Sequence, residues 1–216
     1  ALYMNSLIAL TFDDGPNFET TIPMLDILQK YNVVGSFFVC GKHINNDTKA
    51  IIKRAYQMGC EIDNHSYTHG NMTELSPVEI SNEVEKTSKL IKDTIGVNPK
   101  FFRPPYIAIN QTMFDVINLP FIEGYGCTDW DNNISVEERV STILQNAKDG
   151  NIILLHDLFG NYKTVQTIDI VIPKLLDLNF KFVTVSQLFE LKGITPTVHK
   201  NEIYSNILNP RVCIWA

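Results

Sequence analysis

The sequence lacks the features that define membrane proteins and nucleic-acid-binding proteins. No apolar stretch approaches the roughly 20 residues that a membrane-spanning helix needs, and Lys and Arg form no dense run. The formal net charge is -6 at pH 7, which opposes binding to polyanions. We therefore expect neither a nucleic acid nor a membrane as a partner.

Cysteine is scarce, and its four positions are not paired at CxxC spacing: Cys40, Cys60, Cys127 and Cys213. A zinc knuckle and a thioredoxin-type motif are therefore not supported. Cys40 follows the second predicted strand and Cys60 begins the third. If these strands are parallel neighbours, the two thiols lie at opposite ends of the sheet and cannot bridge. We expect buried, unpaired thiols.

Targeting signals, repeats and low-complexity tracts are also missing. Residues 1–6 have neither a charged n-region nor a long apolar h-region, which indicates a mature terminus or a domain cut from a longer protein. Apolar residues make up 44% of the 216 positions, enough for a sizeable core. We expect a single domain over residues 1–216, with a weakly patterned tail from 194 to 216 that wraps the surface.

What the sequence does contain is a steady alternation of strand and helix patterns. Most of the strand patterns are continuous apolar runs, which is typical of parallel strands buried on both faces. About seven β/α units follow, and they predict a parallel sheet that is either open or closed into a barrel. The predicted strands span residues 7–12, 33–39, 61–64, 100–103, 121–125, 152–155 and 180–185.

Three helix starts carry capping signals. Ser76-Pro77-Val78-Glu79 and Ser135-Val136-Glu137-Glu138 both match a capping box. The first also has proline at the first helical position. Ser186 is predicted to cap a last helix that runs through Leu191. The remaining helices are predicted near residues 18–31, 47–58, 112–117 and 165–178.

Six chemically capable side chains come where predicted strands end: Asp13, Asp14, His65, Arg103, Asp129 and His156. The carboxyl ends of parallel strands share one face, so residues distant in sequence can converge there. Four-residue spacing on a helical turn would put the imidazoles of His65 and His69 on one face. Two histidines and one carboxylate leave open positions for water, which favours a catalytic metal site.

Each of these patterns also has a simpler interpretation. Asp13 and Asp14 precede Gly15-Pro16 and are compatible with a turn that merely ends a strand. His65 and His69 are compatible with a solvated loop, and His156 with a core residue after a buried strand. Asp157 is compatible with a turn or a helix start. His43 and His199 have no chemical context and are predicted to be surface residues.

Five motifs in this chain resemble those of the polysaccharide deacetylase family, carbohydrate esterase family 4, also called the NodB homology domain. The resemblance covers about residues 7–191, and the family fold is a distorted (β/α) barrel. The motifs are Thr-Phe-Asp-Asp-Gly-Pro at 11–16, His-Ser-Tyr-Thr-His at 65–69, Arg-Pro-Pro-Tyr at 103–106, Asp-Trp at 129–130 and Leu-Leu-His at 154–156.

The resemblance implies a metal-dependent hydrolase that removes acetyl groups from a polysaccharide. Asp14, His65 and His69 would bind one divalent transition metal ion, with zinc or cobalt favoured by the two imidazoles. Asp13 would be the general base. His156 would be the general acid.

The remaining motif residues would support these groups. Arg103 would orient Asp13, and Asp129 would tune His156. Trp130 and Leu154 would wall the acetyl pocket. The backbone N–H of Tyr106 would join the oxyanion hole.

The segment 188–193 looks most like the acetylxylan esterase branch, so O-acetylated xylan is the favoured substrate. N-acetylated chitooligomers or peptidoglycan are the alternative, and a catalytically dead carbohydrate-binding module is the rival from another class. Ile107 stands where the family often has glycine, and residues 126–128 lack an aspartate often found there. The resemblance also implies secretion, a monomer, and a module of a larger xylanase-type protein.

Overall fold

The computed structural model describes residues 5–215, in which parallel strands alternate with helices. The strands are β1 (Ser6–Asp13), β2 (Ser36–Val39), β3 (Glu61–Asn64), β4 (Phe121–Ile122), β5 (Tyr125–Gly126), β6 (Asn151–His156), β7 (Phe180–Phe182), β8 (Glu202–Tyr204) and β9 (Arg211–Val212). The helices are α1 (Thr21–Lys30), α2 (Lys49–Gln57), α3 (Pro77–Ile95), α4 (Gln111–Val116), α5 (Val136–Asn146), α6 (Tyr162–Asp177) and α7 (Val185–Lys192).

Strand β1 is the centre of the main sheet, whose order is β3-β2-β1-β6-β5. Strand β6 pairs with β1 from Ile8 to Asp13. On the other edge β1 is shared, because β7 pairs with its first half and β2 with its second half. All of these pairings are parallel, as the alternation predicts.

The predicted strand at 100–103 is reduced to one residue, Phe102, which forms parallel bridges to Asn64 and to Phe121. Phe121 belongs to β4, so Phe102 links the main sheet to the smaller sheet β4-β8-β9. The predicted strand 121–125 is divided into β4 and β5. Within residues 5–215 no pairing joins β4 to β5. The segment after β8 instead contacts the start of β6, where the Ile152 N–H donates to the Ser205 carbonyl at 2.8 Å and Asn151 bridges Asn206. The predicted (β/α) barrel is therefore distorted.

The alternation of side chains along β1 separates two layers of core. Ile8, Leu10 and Phe12 pack with the apolar faces of the surrounding helices, whereas Ala9 faces an inner cluster that includes Phe38. All five residues are essentially inaccessible to solvent. A strand buried on both faces must be apolar throughout, which explains why the strand pattern was readable in the sequence.

The helix caps agree only in part with the sequence prediction. Ser76 forms the complete predicted capping box, whereas Ser135 accepts the Glu138 N–H without the reciprocal bond. The prediction of Ser186 as the last cap is wrong, since Thr184 caps α7 in a box with Gln187.

The prediction that residues 194–216 form a surface-wrapping tail is also wrong over the described part of the segment. Strand β8 pairs with β4, and Ile203, Tyr204 and Ile207 are buried in the core.

The four cysteines are free and buried, as predicted. Among residues 5–215, no helix has both the length and the apolar character needed to cross a bilayer.

Candidate active site

A cavity of about 530 Å³ opens at the carboxyl ends of β1, β3 and β6. Eight of the predicted site residues line it: Asp13, Asp14, His65, His69, Tyr106, Trp130, Leu154 and His156. The other two, Arg103 and Asp129, lie behind it and hydrogen-bond to residues that line it. The structure therefore brings together every residue that the motifs singled out.

Asp13 and Arg103 form a buried ion pair at one side of the cavity. Arg103 Nη1 donates to Asp13 Oδ1 at 2.7 Å, and neither side chain is more than 3% exposed. The guanidinium also lies over the Phe38 ring, 4.2 Å from its centroid. One carboxylate oxygen is thus held by Arg103, while Oδ2 lies 3.5 Å from His65 Nε2 and faces the three candidate metal ligands.

Asp14, His65 and His69 meet with geometry that fits a metal ion. Asp14 Oδ1 lies 3.2 Å from His65 Nε2 and 3.1 Å from His69 Nε2, and the three ligand atoms all lie within 4.8 Å of one another. Among the described residues, no hydrogen bond of good geometry reaches the buried Oδ1. A cation between these atoms would satisfy all three.

The tautomer of His65 supports the same conclusion. His65 Nδ1 lies 2.7 Å from the carbonyl oxygen of Arg103. A carbonyl only accepts, so Nδ1 carries the proton, and in the neutral form of the ring the lone pair of Nε2 is directed toward Asp14. Burial would raise the pKa of Asp14, but the rings of His65 and His69 hold that pKa far below its usual range. The carboxylate is therefore ionised and available as a ligand.

The prediction that His65 and His69 share a helical turn is wrong, although their convergence is right. Residues 65–70 form a loop after β3, in which Ser66 and His69 have positive φ values of 69° and 65°. Glu83 of α3 holds this loop by accepting the backbone N–H groups of Tyr67 and Thr68, at 3.0 and 2.9 Å. No motif in the sequence marks Glu83 as part of the site.

Asp157 and His43 support the loop that follows β1, although the sequence motifs assign neither of them to the site. Asp157 is fully buried and accepts the Gly15 N–H and the Thr21 hydroxyl. Burial, opposed by the Thr21 bond, raises its pKa to about 7. The prediction of His43 as a plain surface residue is wrong, because its half-buried ring donates from Nδ1 to the Asp14 carbonyl at 2.7 Å.

The second acid–base pair is His156 and Asp129, and His156 is the register partner of Asp13 on the neighbouring strand β6. His156 Nδ1 lies 2.8 Å from Asp129 Oδ1, and its backbone N–H donates to Oδ2. Thr164 also donates to Oδ2, at 2.8 Å. Burial lowers the pKa of His156, but the hydrogen bond and charge of Asp129, with help from Asp13 and Asp14, outweigh burial and raise it to about 9.

The wall of the cavity is apolar and partly strained. Trp130 and Tyr106 are mostly exposed, at 61% and 71%, and stand at the rim with Leu154 and Ile107. The ring of Tyr106 meets the ring of His69 edge-on. Tyr106 and Ile107 have φ values of 61° and 51°, a conformation that glycine adopts freely and a β-branched residue adopts only under strain. That strain explains why glycine would suit position 107.

The comparisons with known proteins agree with this geometry. The family model described as polysaccharide deacetylase matches residues 4–119. The chain belongs to the polysaccharide deacetylase family.

Two relatives illustrate the range of the family. A bifunctional xylanase/deacetylase of Pseudobutyrivibrio xylanivorans is 49% identical over 201 residues, which is 93% of this chain and 33% of the relative. A peptidoglycan-N-acetylglucosamine deacetylase of Listeria monocytogenes is 35% identical over 187 residues, which is 86% of this chain and 39% of the relative. The chain thus spans only about a third of the length of the first relative and about two fifths of the second.

Two solved structures share the fold closely. The Xyl-CE4 domain of a multidomain xylanase from the hindgut metagenome of Trinervitermes trinervoides is 50% identical, with a TM-score of 0.92 over 95% of this chain and 99% of that one. A family 4 acetyl xylan esterase from Clostridium thermocellum, in complex with a cobalt ion, is 39% identical, with a TM-score of 0.89 over 93% and 98% of the two chains.

Proposed function

We propose that this protein hydrolyses acetyl groups of a polysaccharide with the help of one divalent metal ion, and that its preferred substrate is O-acetylated xylan. One observation carries the reaction class. The ion-paired carboxylate Asp13 and the carboxylate-supported imidazole His156 line the same cavity as the three candidate metal ligands. Binding of a sugar would require neither of those two pairs, which disfavours the inactive carbohydrate-binding module.

Asp14, His65 and His69 would hold the metal ion. Two imidazoles and one carboxylate suit zinc or cobalt better than calcium or magnesium. When bound, such an ion makes hydroxide available near neutral pH and polarises the acetyl carbonyl. Arg103, through its carbonyl, and Glu83, through the histidine loop, keep the two imidazoles directed inward.

Asp13 acts as the general base in this proposal. Arg103 binds Oδ1, so Oδ2 is left to take a proton from the attacking water. The planar guanidinium fixes the carboxylate in one orientation. Because the pair is buried, the base is already positioned before substrate arrives.

His156 acts as the general acid for the departing sugar oxygen. Its Nδ1 donates to Asp129, which directs Nε2 toward the cavity. The raised pKa of about 9 keeps the ring protonated at neutral pH. A protonated Nε2 can then give its proton to the leaving group.

The apolar wall would receive the acetyl methyl group. Trp130 and Leu154 supply the apolar surface, and the backbone N–H of Tyr106 would help to stabilise the oxyanion. The bulky Ile107 narrows the rim near Tyr106. We propose that this narrowing bears on which acetylated sugars can enter.

The preference for xylan rests on similarity to the two xylan-associated relatives at 49% and 50% identity. Similarity to the Listeria deacetylase supports N-deacetylation of peptidoglycan or chitooligomers as the second candidate. A module of a multidomain xylanase that acts outside the cell, as a monomer, would fit the first candidate.

The test is acetate release from acetylxylan, acetylated chitooligomers and peptidoglycan at equal enzyme and metal concentrations. We expect acetylxylan to be the fastest substrate, and a chelator to abolish release until zinc or cobalt is added back. Faster release from chitooligomers or peptidoglycan would overturn the xylan assignment but not the reaction. No release from any acetylated sugar would favour the binding module.

A further inference from the structure

The active-site cavity adjoins a second cavity of about 450 Å³. Asp14, His69 and Leu158 line both of them. The second cavity therefore begins at two of the three candidate metal ligands. It runs away from Tyr106 and Trp130, toward the loops that follow β1 and β6.

The second cavity in turn adjoins a third, of about 340 Å³. Five residues line both: Pro16, Asn17, Lys42, His43 and Phe159. Phe18, Asn45 and Asp47 line the far part of the third cavity. We call the second and third cavities together the Phe159 groove.

Two aromatic side chains are exposed along this groove. Phe159 is 69% exposed and Phe18 is 51% exposed. Exposing two phenylalanines beside an active site costs hydrophobic free energy in the free protein, and such surfaces mark binding sites. The flat face of a phenyl ring complements the C–H face of a pyranose ring, which is apolar although the hydroxyl edge of the sugar is polar.

The loops that carry these rings are tied to each other. Asn17 Nδ2 donates to the Asp157 carbonyl at 2.7 Å, and the Thr20 hydroxyl donates to the Leu158 carbonyl at 2.9 Å. Phe18 and Phe159 lie directly beside these tethered residues. The two rings are therefore presented by backbone that is fixed in advance, which lowers the entropy lost on binding.

Polar side chains border the same groove. Lys42 is exposed, and its ammonium group donates to the Thr68 carbonyl at 3.1 Å, which places it beside the histidine loop. Asn45 and Asp47 are exposed at the far end. A ligand with apolar faces and hydroxyl edges fits this mixture of exposed rings and polar groups.

We propose that the Phe159 groove is a glycan subsite that holds unmodified sugar rings of the same polysaccharide chain, on the side of the metal ligands opposite Trp130. This inference rests on the proposed function, because it takes the acetylated residue to lie in the active-site cavity. The occupant follows from adjacency, since a polymer bound in the active-site cavity must continue beyond it and the groove begins at its wall. Phe159 and Phe18 are the stacking platforms.

The test compares substrates of different length on the metal-loaded enzyme. Phe159→Ala and Phe18→Ala should each lower kcat/KM for acetylated xylohexaose about 3- to 10-fold, the fold-change that corresponds to loss of one aromatic contact. Both should leave hydrolysis of 4-methylumbelliferyl acetate within twofold, because that ester is too short to reach the groove. Tyr56→Ala is the matched control, since Tyr56 is an aromatic residue 41% exposed near the opposite end of β3.

Calorimetry with unacetylated xylohexaose tests the groove without turnover. We expect it to bind more tightly than xylobiose, and Phe159→Ala to remove most of the difference. Three outcomes would overturn the subsite. The variants could lose kcat/KM equally on the short ester and on the hexamer, or lose none on either substrate. The wild type could also bind both oligosaccharides equally tightly. Absence of ester hydrolysis by the wild type would instead contradict the proposed function, and calorimetry would still decide the groove.

Discussion

The two edges of the parallel sheet differ in which residue types adopt positive φ values. At the edge where strands begin, the turns into β2, β3, β6 and β7 place positive φ at Asn32, Gly59, Gly150 and Asn179. At the edge where strands end, positive φ falls on Gly160 and also on six residues with side chains: Asp14, Ser66, His69, Tyr106, Ile107 and Thr128. Glycine and asparagine adopt this conformation with little strain and aspartate with some, whereas the other residues with side chains at the strand-end edge do not.

The difference shows that backbone strain is concentrated at the edge that holds the active site. A left-handed conformation costs a residue with a side chain about 1–2 kcal/mol, and the strand-end edge contains several such residues. The same edge also buries the Arg103–Asp13 ion pair. The opposite edge has the partly exposed Lys192–Asp149 pair instead. The strand-end edge therefore sacrifices stability to fix its functional groups.

The strongest test of this contrast removes one carboxylate from each edge. Asp13→Asn should lower kcat for acetate release by about 10²–10⁴-fold, because the water loses its proton acceptor. Elemental analysis should still find one metal ion per chain. Asp149→Asn is the control at the other edge and should leave kcat within twofold. Comparable activity in the two variants would remove Asp13 from the role of base.

A smaller effect is expected in the pH profile of Asp129→Asn. The acid form of His156 is needed, and its raised pKa of about 9 means that activity persists below that pH and is lost above it. Without the Asp129 charge the pKa falls toward 6.5, so the alkaline limb of kcat should move to lower pH by about one unit or more. An unmoved limb would show that another group sets it.

Crowding at the strand-end edge can be measured with glycine substitutions. A Cβ at Gly15 would collide with Asp157 Oδ2, whereas one at Gly59 would meet nothing closer than 3.4 Å. Gly15→Ala should lower the free energy of unfolding by about 1–3 kcal/mol through overpacking, and should reduce activity by displacing Asp14. Gly59→Ala should cost only about 1 kcal/mol of backbone strain. Chemical denaturation of both variants decides whether the two sites differ.

The smallest expected effect concerns strain alone. Asn32 and Ile107 share a φ of 51°, but Asn32 is an exposed residue outside the site. Asn32→Ile should therefore lower the free energy of unfolding by about 1–2 kcal/mol. Asn32→Gly should change it by less than about 0.5 kcal/mol. If both variants are as stable as the wild type, Ile107 bears no comparable strain.

Sequence patterns predicted most of the fold because strands buried on both faces are apolar throughout. They failed where tertiary context decides the outcome. Residues 100–103 look like a strand, but only Phe102 pairs, since its neighbours bind Asp63 and turn into the site. Residues 194–216 are weakly patterned, yet Ile203 and Tyr204 complete the core through β8.

The site residues were found because catalytic chemistry restricts which residue types can serve. The residues that support them were not found, because nothing in the sequence marks those residues. Glu83 lies on α3 among other charged residues, and only the three-dimensional structure places it over the histidine loop. His43 had a detectable position after β2 but no motif, and Asp157 was adjacent to His156 but resembled a turn residue.

The two hydrogen bonds that Glu83 accepts from the histidine loop also have a kinetic consequence. The amide protons of Tyr67 and Thr68 sit in a loop without helix or strand, where exchange with solvent is ordinarily fast. Because both are donated to one carboxylate, they should exchange slowly, at a rate set by how often the loop leaves α3. The exchange rates of these two amide protons would thus report how often the histidine loop opens, and they can be measured in solution without any substrate.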